Sequence, residues 1–478
     1  MDIFCALPAV LAGFNPWWEG RRDAALPAFH RNVFQELRTA ALDPLSRRGV
    51  LLTGIRGSGK TTLLRQLAHC LIDEGVPALN IVYLPMEHPL LRSAGLETCL
   101  RTWREFHVQA PGRQYVLIDE MQLLPDWSID LKVGIDLHPE RRPICACSFG
   151  TAPGEQQESC CGRVRELAVG PLSFGESLAL RGVEVPAVPR PARLAELFSW
   201  PRRRLAALAR AAEALAAPFN DHLARGGFPG AALAETVEEA QKFVRERVCD
   251  RMLRTDMSVH RNVRSPYGPE ELFLRLCQAM APLPDNAALH EGLSMSRRSA
   301  GRWLGFLESA HLVTRLPYRP FGGGPRQADM LHMADPSLVP AQLGRGAAFL
   351  DNPGEYAGAV GTAVLGHLQG APADCWKRLA FWRDAAGRPA GFAVTAGAHS
   401  IPFAFGLDGQ TEAQGAAALA MFMEEQHLPY GVLVTASPVG IGPLETAGLT
   451  DAAQAGMLRL PASLLCLWLD TPDLLMAA

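Results

Sequence analysis

A glycine-rich stretch that ends in lysine and threonine, GIRGSGKT at residues 54–61, contains the residue types that bind phosphate groups. Glycines allow backbone N–H groups to curve around a phosphate, and a helix that begins at the lysine directs its positive end toward the same anion. We expect Lys60 to reach the outer phosphates of a nucleotide and the Thr61 hydroxyl to bind magnesium. The predicted nucleotide-binding residues of this loop are Gly54, Ile55, Arg56, Gly57, Ser58, Gly59, Lys60, Thr61 and Thr62.

Two acidic residues, Asp119 and Glu120, follow the apolar run YVLI about sixty residues after the loop. An ionised carboxylate at the end of a buried strand is costly unless it is used. We expect Asp119 to bind magnesium and Glu120 to orient or deprotonate an attacking water. An exposed pair of acids at a strand end is the alternative interpretation.

Three other polar residues are weaker candidates for a role in catalysis. Ser148 ends the apolar run PICACS and could sense the terminal phosphate, but a serine at a strand end is as often a simple turn residue. Arg163 and Arg56 could neutralise charge in a transition state. Each arginine could equally be a solvated surface residue.

Short apolar runs alternate with helical patterns in the first 170 residues, which predicts a wound parallel sheet of the α/β class. The continuous apolar character of these runs is typical of strands buried on both faces. Between the first two runs, KTTLLRQLAHCLIDEG places its leucines on one helical face and ends at a glycine. The predicted strands are RGVLLT (48–53), NIVYLP (80–85), QYVLID (114–119) and PICACS (143–148).

Three further segments follow this predicted domain of residues 1–170. Residues 171–235 are rich in alanine and arginine and predict a helical lid without strands. Residues 236–345 predict helices followed by a strand and wing, an order that resembles a winged helix. Residues 346–478 predict a separate α/β module, in which FWRDAAGRPAGFAVTAGAHSIPFAFG (381–406) indicates two strands joined by turns.

Several segments together resemble one family, the AAA-type, STAND-like P-loop ATPases of bacteria and archaea. Members carry a C-terminal domain of unknown function that contains a winged helix and a restriction-endonuclease-like fold. The segments are NPWWE (15–19), the phosphate loop, VLIDEMQLLPDW (116–127), GRVRELAVGPLSFGE (162–176) and ARGGFPGA (224–231). The resemblance implies ATP and Mg²⁺ as cofactors, Asn15 to Trp18 near the base, and Pro229 near adenine. A proline that follows a helix-ending Gly-Gly pair is the alternative interpretation of Pro229.

The C-terminal module departs from the family at the places where a nuclease centre would lie. Where active members have two acids and an E-x-K motif, this chain has small residues that cannot bind a metal ion; they are Gly361, Gly391, Ala404 and Gly406. Cleavage of a phosphodiester needs carboxylates that hold a divalent cation. We therefore expect a degenerate, inactive nuclease-like module that serves for docking, in which Asp384 and Asp408 do not replace the missing acids.

Composition limits the classes of partner. The formal net charge of −3 argues against attraction of the whole chain to DNA, but it leaves local contacts through Arg297, Arg298 and Arg302 open. No uninterrupted apolar window is long enough to span a membrane, and the cysteines show no CxxC pair, so we expect a soluble cytoplasmic protein.

Three hypotheses about function follow from these observations. The first is a magnesium-dependent ATPase whose hydrolysis drives a conformational switch controlling the C-terminal module, with a protein partner or a homo-oligomer. The second is a nucleotide-gated DNA-binding regulator with little or no hydrolysis. The third is a P-loop phosphotransferase, which the Asp119-Glu120 pair disfavours because it suits water activation.

Overall fold

A computed structural model describes residues 3–24, 26–149, 162–185, 187–256, 267–279, 293–319, 329–370, 378–384, 389–396, 399–444, 456–470 and 472–475. The described residues fall into two compact units. The first unit is built from Met1–Gly170, Arg254–Pro266 and Gly305–His311, and the second from Pro171–Leu253, Tyr267–Leu304 and Leu312–Ala478. The four predicted segments remain a prediction.

A five-stranded parallel sheet forms the centre of the first unit, which confirms the predicted α/β fold. Its order is β2-β3-β4-β1-β5, so β4 lies between the strand before the phosphate loop and the strand that ends in the acids. β1 and β4 are buried at every residue, as their continuous apolar runs predict. The strands are β1 (Gly49–Thr53), β2 (Ile81–Pro85), β3 (Gln114–Asp119), β4 (Arg141–Cys147) and β5 (Val164–Ala168).

Helices cover the two faces of this sheet. On one face Leu63, Leu64 and Leu67 of α3 pack against β1 and β3, and on the other Trp103 of α5 packs against β2. The α-helices are α1 (Leu7–Phe14), α2 (Val33–Leu42), α3 (Lys60–Asp73), α4 (Pro89–Ala94), α5 (Leu96–Phe106) and α6 (Trp127–Leu137). Short 3₁₀ turns occur at Ile3–Ala6, Pro16–Glu19, Ala78–Asn80 and Met121–Leu123.

The second unit begins with helices, as its alanine-rich sequence predicts. They are α7 (Phe174–Arg181), α8 (Arg202–Glu213), α9 (Ala216–Arg225), α10 (Pro229–Ala232) and α11 (Val237–Phe243), with a 3₁₀ turn at Leu194–Ser199 and a π-helical stretch at Val244–Asp256. Their apolar side chains share one hydrophobic core with the C-terminal sheet, in which Phe174 and Leu208 pack together with Phe403. The helices and that sheet therefore depend on one another for burial.

Two more helices and a hairpin follow. The helices are α12 (Tyr267–Ala279) and α13 (Arg297–Ser309), and the hairpin consists of the antiparallel strands β6 (Val313–Leu316) and β7 (Met330–Met333). The order of helix, strand and second strand agrees with the sequence pattern. Whether it forms a winged helix remains a proposal.

A six-stranded mixed sheet forms the C-terminal part, in the order β12-β13-β11-β10-β9-β8. The strands are β8 (Arg378–Arg383), β9 (Pro389–Ala396), β10 (His399–Gly406), β11 (Gly431–Thr435), β12 (Gly442–Pro443) and β13 (Met457–Pro461). The helices are α14 (Leu338–Leu343), α15 (Pro353–Gly370), α16 (Gly409–Glu425) and α17 (Ala462–Leu469), with 3₁₀ turns at Ala348–Asp351 and Pro472–Leu475.

The prediction of two strands over residues 381–406 was wrong, because three strands run through this stretch. Phe381 and Trp382, which begin it, are fully buried in β8, a strand that starts before the stretch and pairs with β9.

In the part of the chain that the structure describes, no helix is long and apolar enough to cross a membrane.

Two of the positions where the family resemblance leads us to expect acids, Gly391 and Ala404, are closely packed. Gly391 of β9 lies opposite Ala404 of β10, and a Cβ atom on Gly391 would collide with the Phe403 carbonyl oxygen. Asp408 is the N-cap of α16, where its carboxylate accepts hydrogen bonds from the Gln410 and Thr411 N–H groups at 3.0 and 2.7 Å. No cluster of three or more potential metal ligands occurs among the described residues.

Two of the three glycines at the expected nuclease positions, Gly391 and Gly361, have different surroundings and give a matched test of the fold. Gly391→Ala must displace the β10 backbone, so we expect a loss of about 1–3 kcal/mol in the free energy of unfolding. Gly361, in α15, has no heavy atom within 4 Å of a new Cβ, so Gly361→Ala should gain about 0.5–1 kcal/mol from its better helix propensity. Urea unfolding of both variants measures the difference, and equal stabilities would contradict it.

Candidate functional site

The phosphate loop connects the end of β1 to the first residue of α3. Its backbone takes positive φ angles at Gly54, Gly57 and Gly59, of 152°, 81° and 97°. Residues other than glycine rarely adopt such backbone angles. A Cβ atom on Gly54 would also collide with the Val169 carbonyl oxygen. The glycines are therefore required for the curved backbone that surrounds a phosphate.

Lys60 stands at the start of α3 with only 4% of its surface exposed. Its Nζ donates hydrogen bonds to the carbonyl oxygens of Gly54 at 2.7 Å and Ile55 at 2.9 Å. Burial lowers the pKa of Lys60, although the nearby Glu120 and Asp119 carboxylates oppose this change. The ammonium group thus sits in the mouth of the loop on weak neutral acceptors, and phosphate oxygens would be stronger ones.

Asp119, the last residue of β3, is 4% exposed and lies directly beside the loop. Its Oδ2 accepts hydrogen bonds from the Thr61 hydroxyl at 2.7 Å and the Tyr83 hydroxyl at 2.9 Å. Burial, and next the Glu120 carboxylate, raises the pKa of Asp119 to about 6. A buried carboxylate whose charge is poorly compensated is suited to accept a cation.

Glu120 adopts a left-handed backbone with φ of 51° and is 8% exposed. Its carboxylate accepts a hydrogen bond from the Ser148 hydroxyl at 2.6 Å and another from the Gln122 amide, and Arg56 Nη1 lies 4.0 Å from it. Burial opposes ionisation of Glu120, but the charges of Lys60 and Arg56 outweigh it, so the pKa lies below its usual value. The group is therefore an ionised carboxylate at neutral pH, as a general base requires.

The structure brings together six of the predicted residues and separates others from them. Those that meet at the loop are Arg56, Lys60, Thr61, Asp119, Glu120 and Ser148. Ile55 and Ser58 lie buried in the loop, and Thr62 follows in the first turn of α3. Pro229 begins α10 in the second unit, so its predicted place beside adenine stays a prediction.

Arg163 is not brought to the loop. Its carbonyl oxygen accepts a hydrogen bond from the Gly49 N–H at 2.9 Å, which places it beside the first residue of β1, whereas the loop follows the last. Its Nε donates to the Asp136 carboxylate at 3.0 and 3.1 Å. The first and last residues of β1 lie at opposite ends of the strand, so Arg163 lies at the amino-terminal side of the parallel sheet and the loop at its carboxyl-terminal side.

Four further residues support the site and were not predicted for these roles: Tyr83, Arg31, Gln122 and Asn15. Arg31 donates from Nη1 to the carbonyl oxygens of Ser58 at 2.8 Å and Gly170 at 2.7 Å, and so fixes the loop from outside. Gln122 is two residues from Glu120, so its proximity was available from the sequence. Tyr83 and Asn15 act over long separations that no local pattern reveals.

The residues at the loop fit a magnesium nucleotide. The Thr61 hydroxyl and the Asp119 carboxylate offer the hard oxygen ligands that Mg²⁺ prefers, and they already meet at 2.7 Å. The curved backbone and the Lys60 ammonium suit the phosphates of the same ligand.

Family comparisons agree with this geometry. Residues 46–178 match a family described as AAA domain, and residues 217–348 match a domain of unknown function. The first match covers β1, the loop, both acids and Ser148. Together with the sheet order, it identifies this region as an AAA-type P-loop ATPase domain.

Three similar proteins each have low sequence identity to this chain. An uncharacterized protein of Haemophilus influenzae is 22% identical over 275 residues. The match covers 55% of this chain and 60% of that protein, so this chain spans less than two thirds of the length of that relative. The Walker-type ATPase of Pyrococcus abyssi is 15% identical, with 68% of this chain and 99% of that chain covered and a TM-score of 0.36. The Orc1 protein of Aeropyrum pernix, solved in complex with DNA, is 16% identical, with 69% and 95% covered and a TM-score of 0.30.

Replacing the loop lysine tests whether the site binds a nucleotide. We expect Lys60→Ala to weaken binding of a fluorescent ATP analogue about 100-fold, because charge-assisted hydrogen bonds of roughly 1.5–3 kcal/mol each are lost. Lys132→Ala, on α6 outside the site, is the matched control and should bind as the wild type does. Equal affinity of the two variants would exclude this loop as the nucleotide site.

Proposed function

We propose that this chain binds ATP with Mg²⁺ and hydrolyses it, and that hydrolysis drives a conformational switch controlling a C-terminal docking module. The observation that carries the hydrolytic step is Glu120. It is a buried, ionised carboxylate beside a phosphate loop, oriented by the Ser148 hydroxyl at 2.6 Å. A phosphotransferase would have to exclude water from such a base, whereas a hydrolase uses it.

Binding begins with an exchange of partners at the loop. Lys60 leaves the carbonyl oxygens of Gly54 and Ile55 and donates to the outer phosphates, while the loop N–H groups and the start of α3 stabilise the negative charge. Thr61 and Asp119 would hold the magnesium ion. Bound Mg²⁺ would neutralise phosphate charge during transfer.

Glu120 then acts on the water that attacks the terminal phosphate. Its carboxylate orients the water and accepts its proton as the water oxygen bonds to the terminal phosphorus and the bond from that phosphorus to the leaving oxygen of ADP breaks. Ser148 and Gln122 hold the carboxylate in one orientation. Arg56 lies close enough to Glu120 to place positive charge near the reacting groups. It also forms an ion pair with Glu87, which keeps the guanidinium at this edge of the loop.

Glu120→Gln tests the role of the base. The amide keeps the size of the side chain but accepts no proton, so we expect ATP affinity to be retained and phosphate release to fall at least about 100-fold. Glu97→Gln, on the exposed start of α5, is the control with the same chemical change and should leave turnover unaltered. Undiminished turnover in Glu120→Gln would refute the assignment of the base.

The two candidate arginines give opposite expectations. Arg56→Ala removes the cation beside Glu120, so we expect turnover to fall by about 10²-fold, the usual effect of losing one charge-stabilising donor. Arg163→Ala removes a partner of Asp136 at the end of β1 away from the loop and should leave turnover of the isolated chain unchanged. Steady-state phosphate release measures both, and the reverse result would restore Arg163 as the catalytic arginine.

The switch and the docking module complete the proposal. The STAND-like resemblance of the GGFPG turn, the helix-and-hairpin order of α13, β6 and β7, and the glycines at the expected acid positions support it. In this view the mixed C-terminal sheet is a nuclease-like framework without nuclease chemistry, and it presents a surface to a protein partner or to another copy of the chain.

One observation favours a second candidate function, a nucleotide-gated DNA-binding regulator with little hydrolysis. Arg297, Arg298 and Arg302 are exposed on α13, where their guanidinium groups could reach phosphates of a duplex. Binding of a DNA duplex at two salt concentrations, with and without ATP, separates the candidates. Salt-dependent binding that ATP changes, without phosphate release, would favour the regulator.

A further inference from the structure

The NPWWE segment is hydrogen-bonded to one edge of the parallel sheet. β2 is an edge strand of that sheet, so its outward-facing backbone groups lack a neighbouring strand. Asn15 replaces one. Its Oδ1 accepts a hydrogen bond from the Tyr83 N–H at 2.6 Å, and its Nδ2 donates to the Tyr83 carbonyl oxygen at 3.1 Å. The Asn15 amide thus forms hydrogen bonds with both the N–H and the carbonyl group of one β2 residue, Tyr83.

Further hydrogen bonds hold the Asn15 side chain and its segment against β2. Asn15 Nδ2 also donates to the Leu11 carbonyl oxygen at 2.8 Å, which ties it to α1. The indole N–H groups of Trp17 and Trp18 both donate to the Ile81 carbonyl oxygen, at 3.1 and 2.8 Å. Asn15 is fully buried, so its amide is protected from competing water.

The residue that Asn15 holds reaches the candidate metal site. The Tyr83 side chain is 4% exposed, and its hydroxyl donates to Asp119 Oδ2 at 2.9 Å. The same oxygen accepts the Thr61 hydroxyl, while Asp119 Oδ1 accepts the Glu120 N–H at 3.1 Å. Burial, followed by the Asp119 charge, raises the pKa of Tyr83, so the phenol remains a donor.

The two hydroxyl groups on Asp119 Oδ2 have different fates when a metal nucleotide binds. Thr61 would serve as a ligand of the metal ion, which would compete with its bond to Asp119. Tyr83 has no such second task, and Asn15 forms hydrogen bonds with both of its backbone groups. After the exchange, Tyr83 is therefore the side-chain donor that still orients the carboxylate.

From this chain of contacts we infer that Tyr83, anchored by Asn15, is a positioning residue that orients the Asp119 carboxylate for Mg²⁺. The inference rests on the proposed function, since it assigns a role within the same site. It also gives the NPWWE segment a task at the metal rather than at the base. Donors of this kind behind a metal ligand typically contribute 10–100-fold to metal affinity.

Tyr83→Phe removes only the hydroxyl and is the primary test. A fluorescent ATP analogue is titrated onto the full chain without metal and at increasing MgCl₂. We expect the metal-free affinity to stay unchanged and the Mg²⁺ concentration for half-maximal enhancement to rise about 10-fold. Asn15→Ala, which releases the backbone of Tyr83, should shift the Mg²⁺ dependence in the same direction.

Tyr115→Phe is the matched control, because it makes the same chemical change near the first residue of β3, whereas Asp119 is the last residue of that strand. It should keep the wild-type Mg²⁺ dependence even if it lowers the melting temperature. An unchanged Mg²⁺ dependence in Tyr83→Phe would overturn the inference, as would an equal loss of affinity with and without metal, which marks a purely structural role. Should Tyr83→Phe fail to fold, the comparison of Asn15→Ala with Tyr115→Phe decides by the same criterion.

The proposed function fails in a distinguishable way. If the wild-type chain binds the analogue without any effect of MgCl₂, or does not bind it, both the ATPase assignment and the role of Tyr83 are refuted. If the wild type responds to MgCl₂ and Tyr83→Phe responds identically, only the positioning role is refuted.

Discussion

The burial of one ammonium group and two carboxylates at the end of a parallel sheet is the constraint on which the first unit depends. Lys60, Asp119 and Glu120 are each less than a tenth exposed, so their charges interact with little screening by water. The charges of Lys60 and Arg56 keep Glu120 ionised, whereas burial, and next the like charge of Glu120, raises the pKa of Asp119. The proposed mechanism uses this difference, because it assigns the proton of the attacking water to Glu120 and the binding of a cation to Asp119.

Strand order is what allows so many charged groups to meet. Because β4 lies between β1 and β3, the residue that follows β4, Ser148, is directed to the gap between the loop and the acids. The same order leaves β2 at the edge, where it needs the N-terminal segment to complete its hydrogen bonds. A ligand site at the carboxyl ends of the strands and a protected edge are thus two consequences of one topology.

The sequence predicted what depends on local pattern and missed what depends on distant contacts. The phosphate loop, the strand-end acids and the parallel sheet were all predicted, because glycine spacing and apolar runs express them within a few residues. Asn15 and Tyr83 are 68 residues apart, and Tyr83 is 36 residues from Asp119, so only the folded chain brings them together. Arg163 was predicted to act at the phosphate loop, but it lies beside the first residue of β1, and the loop follows the last. The local sequence does not show at which end of a neighbouring strand a side chain lies. β8 was missed because its apolar run, LAFW (379–382), begins before the stretch that was predicted to form two strands.

The C-terminal sheet has a close backbone contact that links its strands to the helices of the second unit. At Gly391 the carbonyl of Phe403 approaches so closely that any side chain would force β9 and β10 apart. An acid at this position would therefore cost packing energy. Phe403 in turn belongs to the core that the sheet shares with α7, α8 and α9, so the closeness of the strands and the burial of these helices are linked. A displacement of the helices must disturb that shared core, because close-packed interiors transmit strain. This linkage supplies a physical route by which the proposed switch would alter the surface of the sheet.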